Sequence, residues 1–156
     1  ALINLGISLV VVFVFILFSG VAIHQTILLL PLDIAELYVF SLALAFLLSA
    51  LYVKYRDISH IWEILLQGAF YATPILYTLS LVVKFNPMVA QVLMLSPVAQ
   101  IIQDTRYNVI THQTTTASMV TDNLLALATP YIIVFLLIIF ATYYFKKSQR
   151  YFAENV

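Results

Sequence analysis

Cysteine is absent from the 156 residues. That excludes a disulfide framework and a thiolate metal site, and sulfur chemistry gives no clue to compartment. Glycine occurs only three times. No glycine-rich loop runs into Lys-Ser or Lys-Thr, so the chain has no P-loop of its own. Charge is scarce as well. Seven basic and seven acidic residues make up 9% of the chain, where a soluble domain carries about a quarter. They cancel to a net charge of zero and form no basic stripe that would suit a nucleic acid.

What is present is apolar: 63% of the residues are hydrophobic. A water-soluble fold of this length could not hide so much apolar surface, so lipid is the expected solvent. The expected fold class is all-α, a polytopic integral membrane protein. It has four transmembrane helices and a short re-entrant or surface helical hairpin before the last. The chain opens Ala-Leu-Ile-Asn without an initiator methionine. Its first apolar run lacks the basic flank and small-residue cleavage site of a signal peptide. The N-terminus therefore reads as a cut edge, and residues 1–156 as a single, N-terminally incomplete membrane domain.

The first span is expected at about 3–23, free of charge and long enough for a ~30 Å hydrocarbon core. Asn4, Ser8, Phe15 and Ser19 share one side of it. They either face other helices or, for the serines, bond back to their own helix. His24-Gln25-Thr26 ends the span, and Asp33 is placed as the N-cap of the next helix. The second span is expected at about 35–53. Seventeen uncharged residues separate Glu36 from Lys54. Tyr38, Ser41, Ala45, Ser49 and Tyr52 share a face, and Ser41-Ala45-Ser49 is a small-xxx-small pattern that suits close helix packing.

Between the second and third spans lies a charged island, Lys54-Tyr55-Arg56-Asp57-Ile58-Ser59-His60-Ile61-Trp62-Glu63. It holds four of the chain's charged residues in ten positions. The neighbouring pair Arg56-Asp57 either belongs to a helix start, with Asp57 and Ser59 just ahead of the next span where oxygen acceptors and negative charge are favoured, or docks a cytoplasmic partner. The third span is expected at about 61–83. Its polar-aromatic face runs His60, Glu63, Gln67, Tyr71, Pro74 and Thr78 at three- and four-residue steps, with Phe70 and Tyr77 alongside. Such a face in lipid is buried against protein or water. Pro74 removes a helix hydrogen bond and is expected to kink the helix.

From Lys84 to Asn123 the apolar pattern breaks up. Asn86, Pro87, Gln91, Ser96, Pro97 and Gln100 interrupt it, and Met88 to Leu95 is too short to span. An outer helical hairpin at about 86–110 is expected, either re-entrant or lying on the surface. Asp104, Arg106 and the Thr-rich run Thr111 to Thr116 complete a polar exterior loop, with Arg106 either solvated or a substrate contact. The last span is expected at about 124–145, with Pro130 inside its first turns. It ends in Tyr143, Tyr144 and Phe145 before Lys146, Lys147 and Arg150.

Five of the seven basic residues lie in the island and the C-terminal tail. The positive-inside rule then puts residues 54–60 and the C-terminus in the cytoplasm. His24 and His112 fall outside and His60 inside, so no metal site is shared among them. No Ser-His-Asp set assembles on one side. An outer-face enzyme built on Asp104, Arg106 and His112 is the competing reading of another class.

Lys54 to Trp62, then Thr73-Pro74-Ile75-Leu76-Tyr77, then Asn86-Pro87, then Arg106, in this order, resembles the membrane subunits of type-2 ABC exporters. The closest group is the polysaccharide permeases that export O-antigen, teichoic acid or capsule chains. The resemblance implies six spans, of which this chain matches the last four. It implies a second copy of the permease and a nucleotide-binding ATPase subunit that carries the ATP and Mg, with no cofactor and no reaction in this chain. It sets Tyr55, Arg56, Asp57 and Ile58 in a cytoplasmic loop facing the ATPase. Gln67, Phe70, Tyr71, Pro74 and Tyr77 become candidates for the path of a lipid-linked glycan. Asn86, Pro87, Pro97 and Arg106 belong to the outer hairpin. A type-2 exporter of drugs or small lipids is the alternative cargo reading.

Overall fold

The protein is described here by a computed structural model covering residues 2–19, 25–55 and 57–152, and no strand occurs among them. Residues 20–23 of the expected first span, His24, and Arg56 of the island lie outside the described residues. Helix α1 is Leu2–Phe18, and a 3-10 turn, Gln25–Leu29, leads into α2, Leu30–Lys54. Then follow α3 (Ile58–Ala72), α4 (Leu79–Phe85), α5 (Pro87–Met94), α6 (Pro97–Val109), α7 (Ala117–Val120) and α8 (Leu124–Phe152). Gln25–Lys54 and Leu124–Ser148 are long and apolar enough to cross a bilayer, and Ile3–Phe18 is a shorter apolar helix. Large apolar side chains stay exposed along α1, α2, α3 and α8, as lipid, not water, would allow. The chain is an all-α membrane protein.

Helices α2 and α8 make the main pair. Small residues seat them: Ala43 and Ala50 on α2 and Val134 and Ala141 on α8 are all buried. Each couple is seven residues apart, two helical turns, so both stay on one seam. The rings of Phe46 and Phe145 meet at 5.3 Å near the far end of the pair. The beginnings of both helices meet α6, so α2 and α8 run side by side in the same direction. The Ser41-Ala45-Ser49 stripe is not the packing face. All three residues are exposed, with Tyr38 and Tyr52 on the same side. Small residues occur on more than one face of α2, and α8 docks on the Ala43–Ala50 face instead.

Asp33 is likewise not the N-cap expected of it. The helix begins a turn earlier, after Leu29, with Pro31 in its first turn, where a proline's missing N–H is no loss. That leaves Asp33 inside the first turn and buried.

The expected third span does not form one kinked helix. Helix α3 stops at Ala72, six residues run as irregular chain, and α4 starts at Leu79. The stop is local physics. Thr73 precedes a proline and is pushed out of the helical region, to φ −83°, ψ 137°. Pro74 has no N–H to continue the ladder. Thr78 ends the break in nearly the same conformation, φ −85°, ψ 137°.

Beyond the break, the side-chain oxygen of Asn86 accepts from the amides of Met88 at 3.0 Å and Val89 at 3.4 Å. With Pro87 at the first helical position, Asn-Pro is a strong helix start. A second proline, Pro97, starts α6. The two short helices expected from the proline spacing are therefore α5 and α6. Leu79, Ala90 and Met94 bury against one another, with Val82, Val83, Ala117 and Val120 around them. This small core ties α4, α5 and α7 into one cap.

Candidate functional site

Helix α6 is polar on nearly every side, and each polar side meets a different element. Toward α2, Asn108 Nδ2 donates to Asp33 Oδ2 at 3.0 Å, and the Thr105 hydroxyl reaches the same oxygen at 3.5 Å. The hydroxyl of Thr26 donates to the Asn108 carbonyl at 3.2 Å. Toward α8, Gln100 Nε2 donates both to Asp104 Oδ2 at 2.8 Å and to the Tyr131 hydroxyl oxygen at 2.6 Å. Burial pushes the Asp104 carboxyl above its ordinary value; the Gln100 hydrogen bond opposes this and the charge of Asp33 adds to it.

The third side faces the break after α3. Arg106 Nη1 donates to the Pro74 carbonyl at 2.8 Å and Nη2 to the Ile75 carbonyl at 2.7 Å. A helix that stops at a proline leaves its last carbonyls without amide partners. In a membrane protein irregular backbone must be satisfied from within. The guanidinium fork supplies two donors in a fixed geometry and sets a positive charge near the negative end of the α3 dipole. Other side chains complete the work: Thr73 Oγ1 donates to Ala69 O at 2.7 Å and the Tyr77 hydroxyl to Ala72 O at 3.0 Å. Arg106 is thus neither on a loop nor merely solvated. It lies on α6, partly buried, because its partners are the Pro74 and Ile75 carbonyls of the irregular chain itself.

Beside the fork lies a half-open cleft of about 350 Å³. Residues 75–80 form one wall, residues 110, 111 and 113–115 the other, and Gln103 and Arg106 line it from α6.

The other residues singled out from the sequence are spread out. Tyr55 is exposed in extended conformation, with Lys54 Nζ 5.2 Å from its ring centre. Asp57 occupies the N-cap position of α3, but its side chain makes no cap hydrogen bond. Ile58 begins α3. Gln67, Phe70 and Tyr71 are exposed on α3, with Phe70 and Tyr71 edge to face at 5.5 Å. Pro74 is fully buried, and Tyr77 is partly buried with its hydroxyl engaged. Asp104, Arg106 and His112 each turn to a different partner: Gln100, the break, and the ring of Tyr107 at 4.5 Å. Among the described residues no cluster of His, Asp and Glu could hold a metal.

The chain is similar to part of an export permease. Over 71 residues it is 39% identical to the O-antigen export system permease protein RfbA of Myxococcus xanthus. The match covers 40% of this chain and 27% of that protein. No family model matches. At the level of family, the likeness is to a membrane permease and not to an enzyme.

Sequence reasoning named Gln100 only as a break in the apolar pattern and passed over Gln103, Asn108 and Tyr131. One signal was available: α6 is short, follows an apolar segment, and carries polar residues on nearly every side. A helix of that kind is either solvated or clamped by its neighbours.

Proposed function

We propose that this chain is the transmembrane part of an ATP-driven exporter that moves a lipid-linked polysaccharide across the cytoplasmic membrane. It works as a pair of copies with a separate ATPase subunit that binds ATP and Mg. The observation that carries this reading is the 39% identity to an O-antigen export permease. Composition and the two long apolar helices support the membrane setting. The positive-inside bias supports a cytoplasmic turn at 54–60 and a cytoplasmic C-terminus, with the break, α6 and the cap of α4, α5 and α7 at the outer end.

In this reading the turn of Tyr55, Arg56, Asp57 and Ile58 receives the ATPase. Closure of the ATPase moves α3, whose Gln67, Phe70 and Tyr71 face the path. Aromatic rings suit a glycan because sugar C–H faces pack on them while hydroxyls find polar partners. The far end of α3 meets Arg106, so the movement reaches α6.

The test is genetic and direct. Deleting the gene in its host is expected to remove the polymer from the cell surface and to trap lipid-linked polymer inside. The Arg56→Ala, Asp57→Ala double variant is expected to restore neither export nor co-purification with the ATPase. Normal surface polymer in the deletion strain refutes the reading, and is also what an exporter of drugs or small lipids would give.

A further inference from the structure

Three helices meet at one corner of the fold, and the polar atoms there are mostly acceptors. Helix α2 brings Asp33 and Glu36, α6 brings Gln100 and Asp104, and α8 brings the Tyr131 hydroxyl. Gln100, Asp104 and Asn108 follow at four-residue steps, so they share the face of α6 that looks at α2 and α8. Glu36 stands seven residues before the buried Ala43 and so tops the seam on which α8 packs. The charges of Asp104 and Asp33 both reach its carboxylate. Among the described residues no cation pairs with any of the three acids. Arg106 turns to the break, and the 3-10 turn at 25–29 carries no charge.

Two oxygens of this corner lack a donor. Glu36 Oε1 and Gln100 Oε1 are both buried without a hydrogen-bond partner, and Gln100 is 3% exposed. Native folds keep few such orphans. Neither oxygen has room beside it for a water molecule, so no molecule from outside can make up the deficit. Turning the Gln100 amide over does not help. Its oxygen would then face Asp104 Oδ2 at 2.8 Å, again acceptor against acceptor. In both orientations the corner is short of one hydrogen. A carboxylic acid has one O–H to donate, and a carboxylate has none.

We propose that Glu36 and Asp104 share one proton across the Gln100 amide, and that this proton fastens α6 to α2. On Glu36 it is donated to Gln100 Oε1. On Asp104 it is donated to the same oxygen of the turned amide, whose nitrogen then serves Glu36. Without the proton, three carboxylates repel one another where no cation stands between them, and the hold of α2 on α6 loosens. The fastening is therefore present at low pH and lost as pH rises through the titration of the pair. It does not depend on the export reading.

The full permease–ATPase complex in lipid nanodiscs is the sample. Infrared spectra report protonated carboxyls by their carbonyl stretch. Hydrogen–deuterium exchange, corrected for its intrinsic pH dependence, reports the opening of α6. At neutral pH the wild-type complex is expected to show a protonated-carboxyl band that the Glu36→Gln, Asp104→Asn double variant lacks. Gln100→Met should keep the band and move it, because the O–H loses its acceptor. As pH rises and the band disappears, opening of residues 100–109 should increase about tenfold in wild type, the weight of one hydrogen bond. The double variant should show no such increase, having no proton there to lose. A wild-type spectrum without the band at neutral pH overturns the proposal and needs no variant. So does a band that persists unchanged in the double variant or stays in place in Gln100→Met. An opening of α6 that climbs equally with pH in wild type and double variant overturns it as well.

Discussion

Replacing Arg106 by methionine keeps the aliphatic stem and removes the fork. The Pro74 and Ile75 carbonyls, held at 2.8 and 2.7 Å, then lose their donors. A hydrogen bond from a charged donor contributes ~1.5–3 kcal/mol, so the pair contributes ~3–6 kcal/mol at most. Arg106 is partly exposed, which screens the charge, so the lower end of about 3 kcal/mol is the better figure. That is about two orders of magnitude in the local opening equilibrium. Opening of the break frees the Ile75 amide from the Thr73 carbonyl at 2.7 Å and the Leu81 amide from the Thr78 carbonyl at 3.1 Å. Hydrogen–deuterium exchange of the protein in nanodiscs should therefore speed up by about a hundredfold over residues 75–81. The α2–α8 pair should exchange as before, because none of its seam residues touches the fork. Arg106→Lys should fall between, since one ammonium cannot span two carbonyls as a planar fork does. Unchanged exchange over 75–81 in Arg106→Met, or an equal rise in α2 and α8, refutes the argument.

The packing face of α2 can be tested by paired substitutions. Ala43 is fully buried on the α8 seam while Ala45 is exposed, so Ala43→Leu should destabilise by ~1–3 kcal/mol and Ala45→Leu by less than ~0.5 kcal/mol. Denaturant titration followed by circular dichroism in detergent checks both. Asp104 offers a pH test. Its folded carboxyl holds its proton more tightly than in the unfolded chain, so its contribution is full below the unfolded value and is lost as pH rises through the folded one. Asp104→Asn should therefore be at least as stable as wild type at neutral pH, and should gain less than wild type does on acidification. A loss of stability at neutral pH counts against it.

Local punctuation was legible in the chain and partner choice was not. Asn86-Pro87 and Pro97 started helices where proline chemistry says they should, and the Thr73-Pro74 pair stopped one. The stop was underestimated as a kink because the irregular chain beyond it needs a donor of its own for the Pro74 and Ile75 carbonyls. Here the donor comes from Arg106, thirty-two residues further on. Nothing in the spacing of residues announces a bond of that separation. Asp33 failed for a similar reason: Pro31 moved the helix start upstream, and the carboxylate found Asn108 instead of a backbone amide. On α2 the face was ambiguous because lipid is as apolar as a helix seam. Hydrophobicity cannot then select a side, and small residues lie on more than one.

Helix α6 is held from two directions, and the magnitudes say how evenly. The Arg106 fork gives about 3 kcal/mol after screening. On the other side, the Asn108–Asp33 bond to a carboxylate gives ~1.5–3 kcal/mol, and the neutral bonds from Gln100 to Tyr131 and from Thr26 to the Asn108 carbonyl about 1 kcal/mol each. The two sets differ by about 0.5–2 kcal/mol, within what a ligand or a nucleotide-driven movement can supply. So α6 is poised to follow either α3 or the α2–α8 pair, whichever side is weakened less. Weakening the two sides should then have opposite effects. Asn108→Leu should let α6 travel with the break, and Arg106→Met should leave it on α2 and α8. Residues 1–156 hold no cysteine, so a single cysteine replacing Thr115 at the cleft wall has no competing thiol within this stretch, and the complex without it sets the background. With ATP turning over in the complex, its labelling by a membrane-impermeant maleimide should become more sensitive to nucleotide in Asn108→Leu and insensitive in Arg106→Met. Changes of the same sign in both variants would mean that α6 is not shared between the two anchors.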